Sequence, residues 1–172
     1  MTELDHFRAQ KDAFFKTHPH SPLTLVQQAG FAGLRYFPEN PELRLALPVE
    51  VFADGDSLVM QTSTGDERAY ARYGRLRFSV ARQEVALTVY ADRDSGELFL
   101  PFVDGLRGRE TYGAGRYLDP EPLADGRLLV DFNLAYNPYC AYNDGWSCPL
   151  TPPENWIQAP IRAGEQIYTP AE

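Results

Sequence analysis

From residue 43 the apolar residues fall on a period of two. Leu43, Leu45, Leu47, Val49 and Val51 alternate with Arg44, Ala46, Pro48 and Glu50. That spacing fits a pleated strand, whose side chains point to opposite faces in turn, and does not fit a helix. The pattern keeps returning after short turns. ADGD at 53–56 leads into SLVMQTS, and TGDE at 64–67 leads into RAYARY. Leu76, Phe78 and Val80 then alternate with Arg75, Arg77 and Ser79, the mark of a strand with one wet face. Val85, Leu87 and Val89 repeat it, DRDSG at 92–96 turns the chain into ELFLPFV, and residues 112–118 and 127–134 complete the set. Connections this short favour antiparallel neighbours, because a parallel pair needs a crossover of a dozen or so residues. The expectation is a mainly β fold: an antiparallel β-barrel-like meander of about eight strands with two short N-terminal helices. Closure, or a split into two packed sheets, would remove the exposed edges.

The helices are read from the first 36 residues. Over residues 3–17, Leu4, Phe7, Phe14 and Phe15 share one face, while Arg8, Lys11, Asp12 and Lys16 turn to water. Pro19 and Pro22 end that helix, and Ser21-Pro22 predicts the start of a second over TLVQQA, closed by Gly30. A length of 172 residues fits one domain, organised as a helical segment (1–36), an antiparallel sheet (43–134) and an aromatic, proline-rich closing segment (135–172).

Charge removes two classes of partner. Sixteen Lys and Arg against 24 Asp and Glu leave a net charge of −8, which disfavours nucleic acid and anionic membranes as partners, since both require basic patches. The N-terminus has no basic segment followed by an apolar one, and no apolar run approaches the ~20 residues that span a bilayer. A soluble, cytoplasmic protein, either monomer or homodimer, is expected. In that compartment Cys140 and Cys148 are two reduced thiols before they are a disulfide.

Residues 110–155 differ from the rest. They hold five of the ten tyrosines, both cysteines and one of the two tryptophans, and from 132 to 153 the only charged residue is Asp144. No helical or strand period fits that run, so it reads as irregular backbone held by large rings, a lid or pocket wall.

Several stretches, among them FRAQKDAFFK, GLRYFPENP, TSTGDERAYARYG, LFLPFVDGLRGRETYGAGRYLD, DFNLAYNPYCAYNDGWSCPLTPPEN and IRAGE, together resemble one prokaryotic family, domain of unknown function 1684. The similarity runs from about Phe7 to Glu165. It implies no activity, cofactor or substrate, so every role must come from the residues.

In TYGAGRYLD, Gly113 and Gly115 would share one strand face and leave a groove that a ligand or a neighbouring ring could fill. Asp131 and Asn133 oppose the apolar face of Leu128, Val130 and Phe132; in a barrel they could look inward, with Arg116 as partner of Asp131 or Glu110. Arg116 would then grip an anionic ligand, or form a buried ion pair that never meets one. Asp131 or Glu110 is the candidate base of a hydrolase- or lyase-type reaction, though sequence spacing fixes no carboxylate distance. Cys-x7-Cys matches no usual zinc spacing, and the three histidines all lie in the first 20 residues, so neither metal nor cofactor is expected. No GxGxxG, GxSxG or HExxH motif occurs. Tyr136, Tyr139, Tyr142, Trp146 and Trp156 among Asn133, Asn137, Asn143 and Asn155 suit a small, partly polar organic molecule. The leading expectation is a pocket closed by residues 110–155 and lined by Arg116, Asp131, Asn133, Tyr136, Asn137 and Tyr139. The alternatives are an enzyme using that pocket and an interaction protein with no ligand.

Overall fold

Thr2 starts the first helix. Its hydroxyl accepts the Asp5 amide at 3.1 Å, and the Asp5 carboxylate accepts the Thr2 amide at 2.9 Å, a reciprocal cap on helix α1 (Glu3–Thr17). Those bounds are the ones the apolar spacing predicts. The second helix, α2 (Leu25–Ala29), is capped by Thr24 with Gln27 rather than by Ser21. Ser21 instead donates to the Phe15 carbonyl at 2.7 Å and accepts the Leu23 amide, bracing the connection between the helices. A five-residue helix does not hold itself. Gln27 and Gln28 tie it down by donating to the carbonyls of Tyr142 and Phe15.

The computed structural model describes residues 1–53 and 57–170; the turn expected at 53–56 falls, for residues 54–56, outside them. Among the described residues nine strands follow the helices: β1 (Arg44–Leu47), β2 (Glu50–Val51), β3 (Ser57–Gln61), β4 (Glu67–Val80), β5 (Gln83–Asp92), β6 (Leu98–Phe102), β7 (Arg116–Leu118), β8 (Glu121–Pro122) and β9 (Leu128–Asp131). They form two antiparallel sheets and not a closed barrel. One has the order β1-β9-β8; the other runs β2-β4-β5-β6-β7, with β3 also on β4. Pro48 marks the division. A proline has no amide to donate to a ladder, and the stretch that reads as one strand over 43–51 breaks there. The part before it pairs with β9 and the part after it with β4. The chain thus leaves one sheet and enters the other, where a barrel would have needed the ladder to continue.

The two strands expected at 68–73 and 76–80 are one 14-residue strand, β4, with a bulge. Arg72 opposes Tyr90 and Gly74 opposes Val89, so Tyr73 is an extra residue with no partner on β5. Directly opposed residues share a face, and the bulge therefore changes which face β4 presents. After it, Leu76 and Phe78 join Leu87, Val85 and Leu100 in a core packed on Leu128 and Val130 of the three-stranded sheet. Before it, Tyr70 points to the opposite side, with Met60, Tyr90 and Phe99. Gly74 is required at this junction: a Cβ there would lie 2.7 Å from Val49 Cγ2 and 2.8 Å from the Glu50 carbonyl oxygen.

The closing segment is irregular and is stitched to strand edges by single bridges, Tyr136 on Tyr117, Pro149 on Thr62 and Trp156 on Val103. Asn155, fully buried, works as a short piece of strand. Its side chain accepts the Thr88 amide and donates to the carbonyls of Thr88 and Pro101, each at 2.8 Å, filling the fork where β5 and β6 diverge. Among the described residues no helix is long and apolar enough to cross a membrane.

Candidate functional site

The second face of the six-stranded sheet is where the packing stays open. Tyr70 of β4, Phe99 of β6 and Tyr117 of β7 stand on it, Phe99 stacked on Tyr70 at 5.5 Å and edge-on to Tyr117 at 4.7 Å. Opposite them lies a separate cluster built on Phe15 of α1, with Phe31, Tyr142, Phe14 and Tyr139. The two clusters do not close on each other. Between them runs a cleft of about 760 Å³, with Phe7, Lys11, Phe14 and Phe15 as one wall, the sheet aromatics as floor, and residues 136–139 and 146–149 as the far side. Rings on edge leave such gaps because their hydroxyl ends need polar partners and cannot interdigitate as aliphatic chains do.

Those partners are found around the rim. The Tyr136 hydroxyl donates to Asp119 at 2.9 Å, and the Tyr117 hydroxyl to the Pro149 carbonyl. Burial pushes both phenols well above the usual tyrosine range, so both stay protonated. Burial also raises the Asp119 carboxyl, partly offset by the Tyr136 hydrogen bond. Tyr139 meets Trp146 edge-on at 5.1 Å.

Two cations stand at the cleft. Lys11 sits 5.1 Å from the Tyr136 ring centre and pairs with the buried Glu165 carboxylate. Glu165 also accepts the Asn137 amide at 3.1 Å and the Tyr142 hydroxyl at 2.7 Å, so one carboxylate fixes the helix, the closing segment and the chain beyond it. Arg68, exposed at the opposite rim, gives one N–H to the Ser147 carbonyl at 3.2 Å. A guanidinium carries five donors, more than the Ser147 carbonyl and the Tyr70 hydroxyl take.

The residues expected to line one pocket fall into three places. Tyr136, Asn137 and Tyr139 line the cleft. Asp131 and Asn133 border a different, more polar depression of about 700 Å³ beside Arg44 and Glu121. Asp131 there caps the Asn133 amide at 3.0 Å and lies 3.6 Å from Arg44, while Asn133 clamps both backbone groups of Asn40. Arg116 reaches neither site. It is 1% exposed, and its guanidinium donates to the carbonyls of Ile161, Ala163 and Glu165, with Asp104 at 3.5 Å. The expected partners Asp131 and Glu110 are thus replaced by Asp104. Glu110 pairs with Arg162 at the surface.

The glycine groove is also absent. Only residues 116–118 of that stretch are strand, and Gly115, at φ +98°, turns the chain where a Cβ would meet the Phe102 carbonyl oxygen at 2.4 Å. Arg68 and Glu165 escaped the sequence analysis, and Lys11, expected to turn to water, turns inward because the buried Glu165 carboxylate takes its charge. The apolar stripe of α1 gave Phe14 and Phe15 away as buried, but not what they face.

Cys140 and Cys148 are both free thiols. Cys148 is on the cleft wall, and its sulfur accepts the Cys140 amide at 3.4 Å. The Cys140 thiol hydrogen-bonds the same sulfur, which lowers the Cys148 thiol. The backbone amides of Cys140 and Tyr139 and the charge of Arg68 act in the same direction, against burial. That bond, with burial, raises Cys140. Tyr112 lies 3.9 Å from the Cys140 sulfur. Among the described residues no three His, Cys, Asp or Glu side chains converge as metal ligands would.

Fold and site together define a two-sheet antiparallel β protein with an aromatic cleft under its first helix. The chain belongs to the family described as Protein of unknown function (DUF1684), whose model matches residues 29–166. It is similar to the uncharacterized protein from gene locus rrnAC0354 of Haloarcula marismortui, known from a solution NMR structure. The two are 37% identical, with a TM-score of 0.72 over 95% of this chain and 92% of the other. No curated protein matches the chain.

Proposed function

We propose that the protein binds a small organic molecule in the aromatic cleft, one with a flat, unsaturated body and an anionic or acceptor group turned to Arg68. The carrying observation is the cleft itself. Its volume lies within the range of small-molecule sites, its walls are mostly rings, and a few polar groups converge on it. Asn137 adds support. It is 2% exposed, and its side-chain oxygen has no hydrogen-bond partner among the described residues, a condition that a ligand donor would relieve. Two unbonded thiols fit a cytoplasmic setting. An acid–base enzyme centred on Asp131 or Glu110 has less support, since neither carboxylate borders the cleft.

The test is titration with a panel of aromatic carboxylates, read by Trp146 emission and by melting temperature. Binding is expected to raise the melting temperature of the wild type, and Arg68→Ala is expected to weaken binding of the carboxylates about tenfold while leaving the unliganded melting temperature in place. A panel that moves neither emission nor melting temperature, together with a bare mass for the protein sprayed natively from its host, would sink the reading.

A further inference from the structure

Neither the fold nor ligand binding requires the thiols to be arranged as they are. Eight positions apart in irregular chain, Cys148 places its sulfur 3.4 Å from the backbone nitrogen of Cys140. That nitrogen is three bonds from the Cys140 sulfur, so the two thiols are close neighbours in space. Cys148, buried but on the cleft wall, lies beside Arg68, and the more exposed Cys140 lies against Tyr112. A sulfur that accepts a backbone amide, with a second thiol and a guanidinium nearby, is an activated nucleophile.

We propose that Cys148 and Cys140 form a thiol–disulfide exchange centre, Cys148 as attacking thiolate and Cys140 as resolving thiol, that takes a low-molecular-weight disulfide from the cleft. The Cys148 thiolate attacks one sulfur of the substrate and forms a mixed disulfide, and the leaving thiolate takes up a proton. Cys140 then loses its proton and attacks the Cys148 sulfur, releasing the second small thiol. The balance is one substrate disulfide reduced to two thiols while two cysteine thiols become one Cys140–Cys148 disulfide. No further oxidant is needed, because the substrate disulfide supplies it. A disulfide suits this cleft because its leaving thiolate is stable near neutral pH and needs no acid beside it. The centre shares the cleft with the proposed ligand but does not depend on it.

The experiment treats the reduced full chain with glutathione disulfide and follows intact mass and non-reducing peptide maps. The wild type is expected to lose the mass of two hydrogens and to show a 140–148 cross-link. Cys140→Ser should stop with one glutathionyl group on Cys148, and Cys148→Ser should stay unmodified over the same time. On the untreated wild type, iodoacetamide at neutral pH should reach Cys148 about tenfold ahead of Cys140; this measurement does not depend on either variant folding. Equal labelling of the two thiols, with both rates rising only through the ordinary thiol range, would overturn the proposal. So would a wild type in which the glutathionyl group stays on Cys148, since Cys140 would then resolve nothing.

Discussion

The two faces of the six-stranded sheet come from the same strands and are packed by different means. On the core face, Leu76, Leu87, Val89 and Leu100 are wholly buried among other aliphatic residues and Phe102 and Phe132. On the other face, Tyr70, Phe99 and Tyr117 have rings at the same strand positions and a cleft above them. Branched aliphatic chains interdigitate and leave no room, whereas tyrosines must stand so that their hydroxyls reach a carbonyl or carboxylate. The difference teaches that the cleft follows from residue type on one face of an otherwise well-filled sheet, with the bulge at Tyr73 setting which residues of β4 reach that face.

The sharpest way to break that contrast is at Arg116, the one fully buried cation among the described residues. Burial lowers its guanidinium from the usual arginine range to about 10, although Asp104 and Glu165 favour the charge. Arg116→Met would leave the buried Asp104 charge with only the Thr111 hydroxyl and the Ile161 amide, and three carbonyls without their donor, and is expected to cost about 3–5 kcal/mol in urea unfolding. Arg116→Lys should recover little, since an ammonium cannot serve three carbonyls held in a fork. A loss below about 1 kcal/mol would mean that Asp104 finds water or another donor.

A paired comparison comes next in size. Phe132→Ala removes a fully buried ring that packs on Phe78 and Phe102, and should cost about 3 kcal/mol or more. Tyr139→Ala, on the cleft wall, should cost about 1 kcal/mol, because its ring is only partly removed from water. Equal losses would show that the cleft wall is as tightly determined as the core.

The smallest effect concerns Glu154 on the cleft face of the sheet's other end. Burial would raise this carboxyl, but the Tyr90 hydroxyl and a two-pronged contact with Arg72 (2.7 and 3.2 Å) hold it below the usual glutamate range. A folded-state value below the unfolded one contributes stability above the unfolded glutamate range, and that contribution is lost as the pH falls through the folded value. Glu154→Gln should therefore flatten the acid side of the stability profile, by less than about 1 kcal/mol for so exposed a pair. Melting curves between neutral and strongly acid pH would detect it, and an unchanged acid slope would assign the acid loss to other carboxylates.

Much of this contrast could be read from the chain, and some could not. The bounds of helix α1 were legible to the residue because its apolar spacing and its proline stop are local, but Arg8, Lys11 and Asp12, expected to face water, turn to Phe37, Glu165 and Leu34. The alternation after residue 43 announced antiparallel strands. It did not announce that Pro48 divides one run between two sheets, because period two is the same on either side of the break. The bulge at Tyr73 left no mark either: Tyr70, Leu76 and Phe78 share the same parity along the sequence yet fall on opposite faces. Tyr136, Asn137 and Tyr139 were legible as a wall, since rings and amides without a period seldom form a core. Their partners Lys11 and Glu165 lie 154 positions apart, and nothing in the local pattern of either end foretells that meeting.

The bulge has a consequence for how the strand tolerates change. Substituting a side chain along β4 alters one contact, whereas deleting a paired residue such as Ala71 would re-phase every residue before it: Arg68 and Tyr70 would swing toward the aliphatic interior, and Ala69 would be left facing the cleft. Tyr73 is the exception, because without it Arg72 and Gly74 would still oppose Tyr90 and Val89 in a plain ladder. Outside the bulge the count of residues in this strand matters more than their identity, so the chain there should accept misspellings far better than omissions.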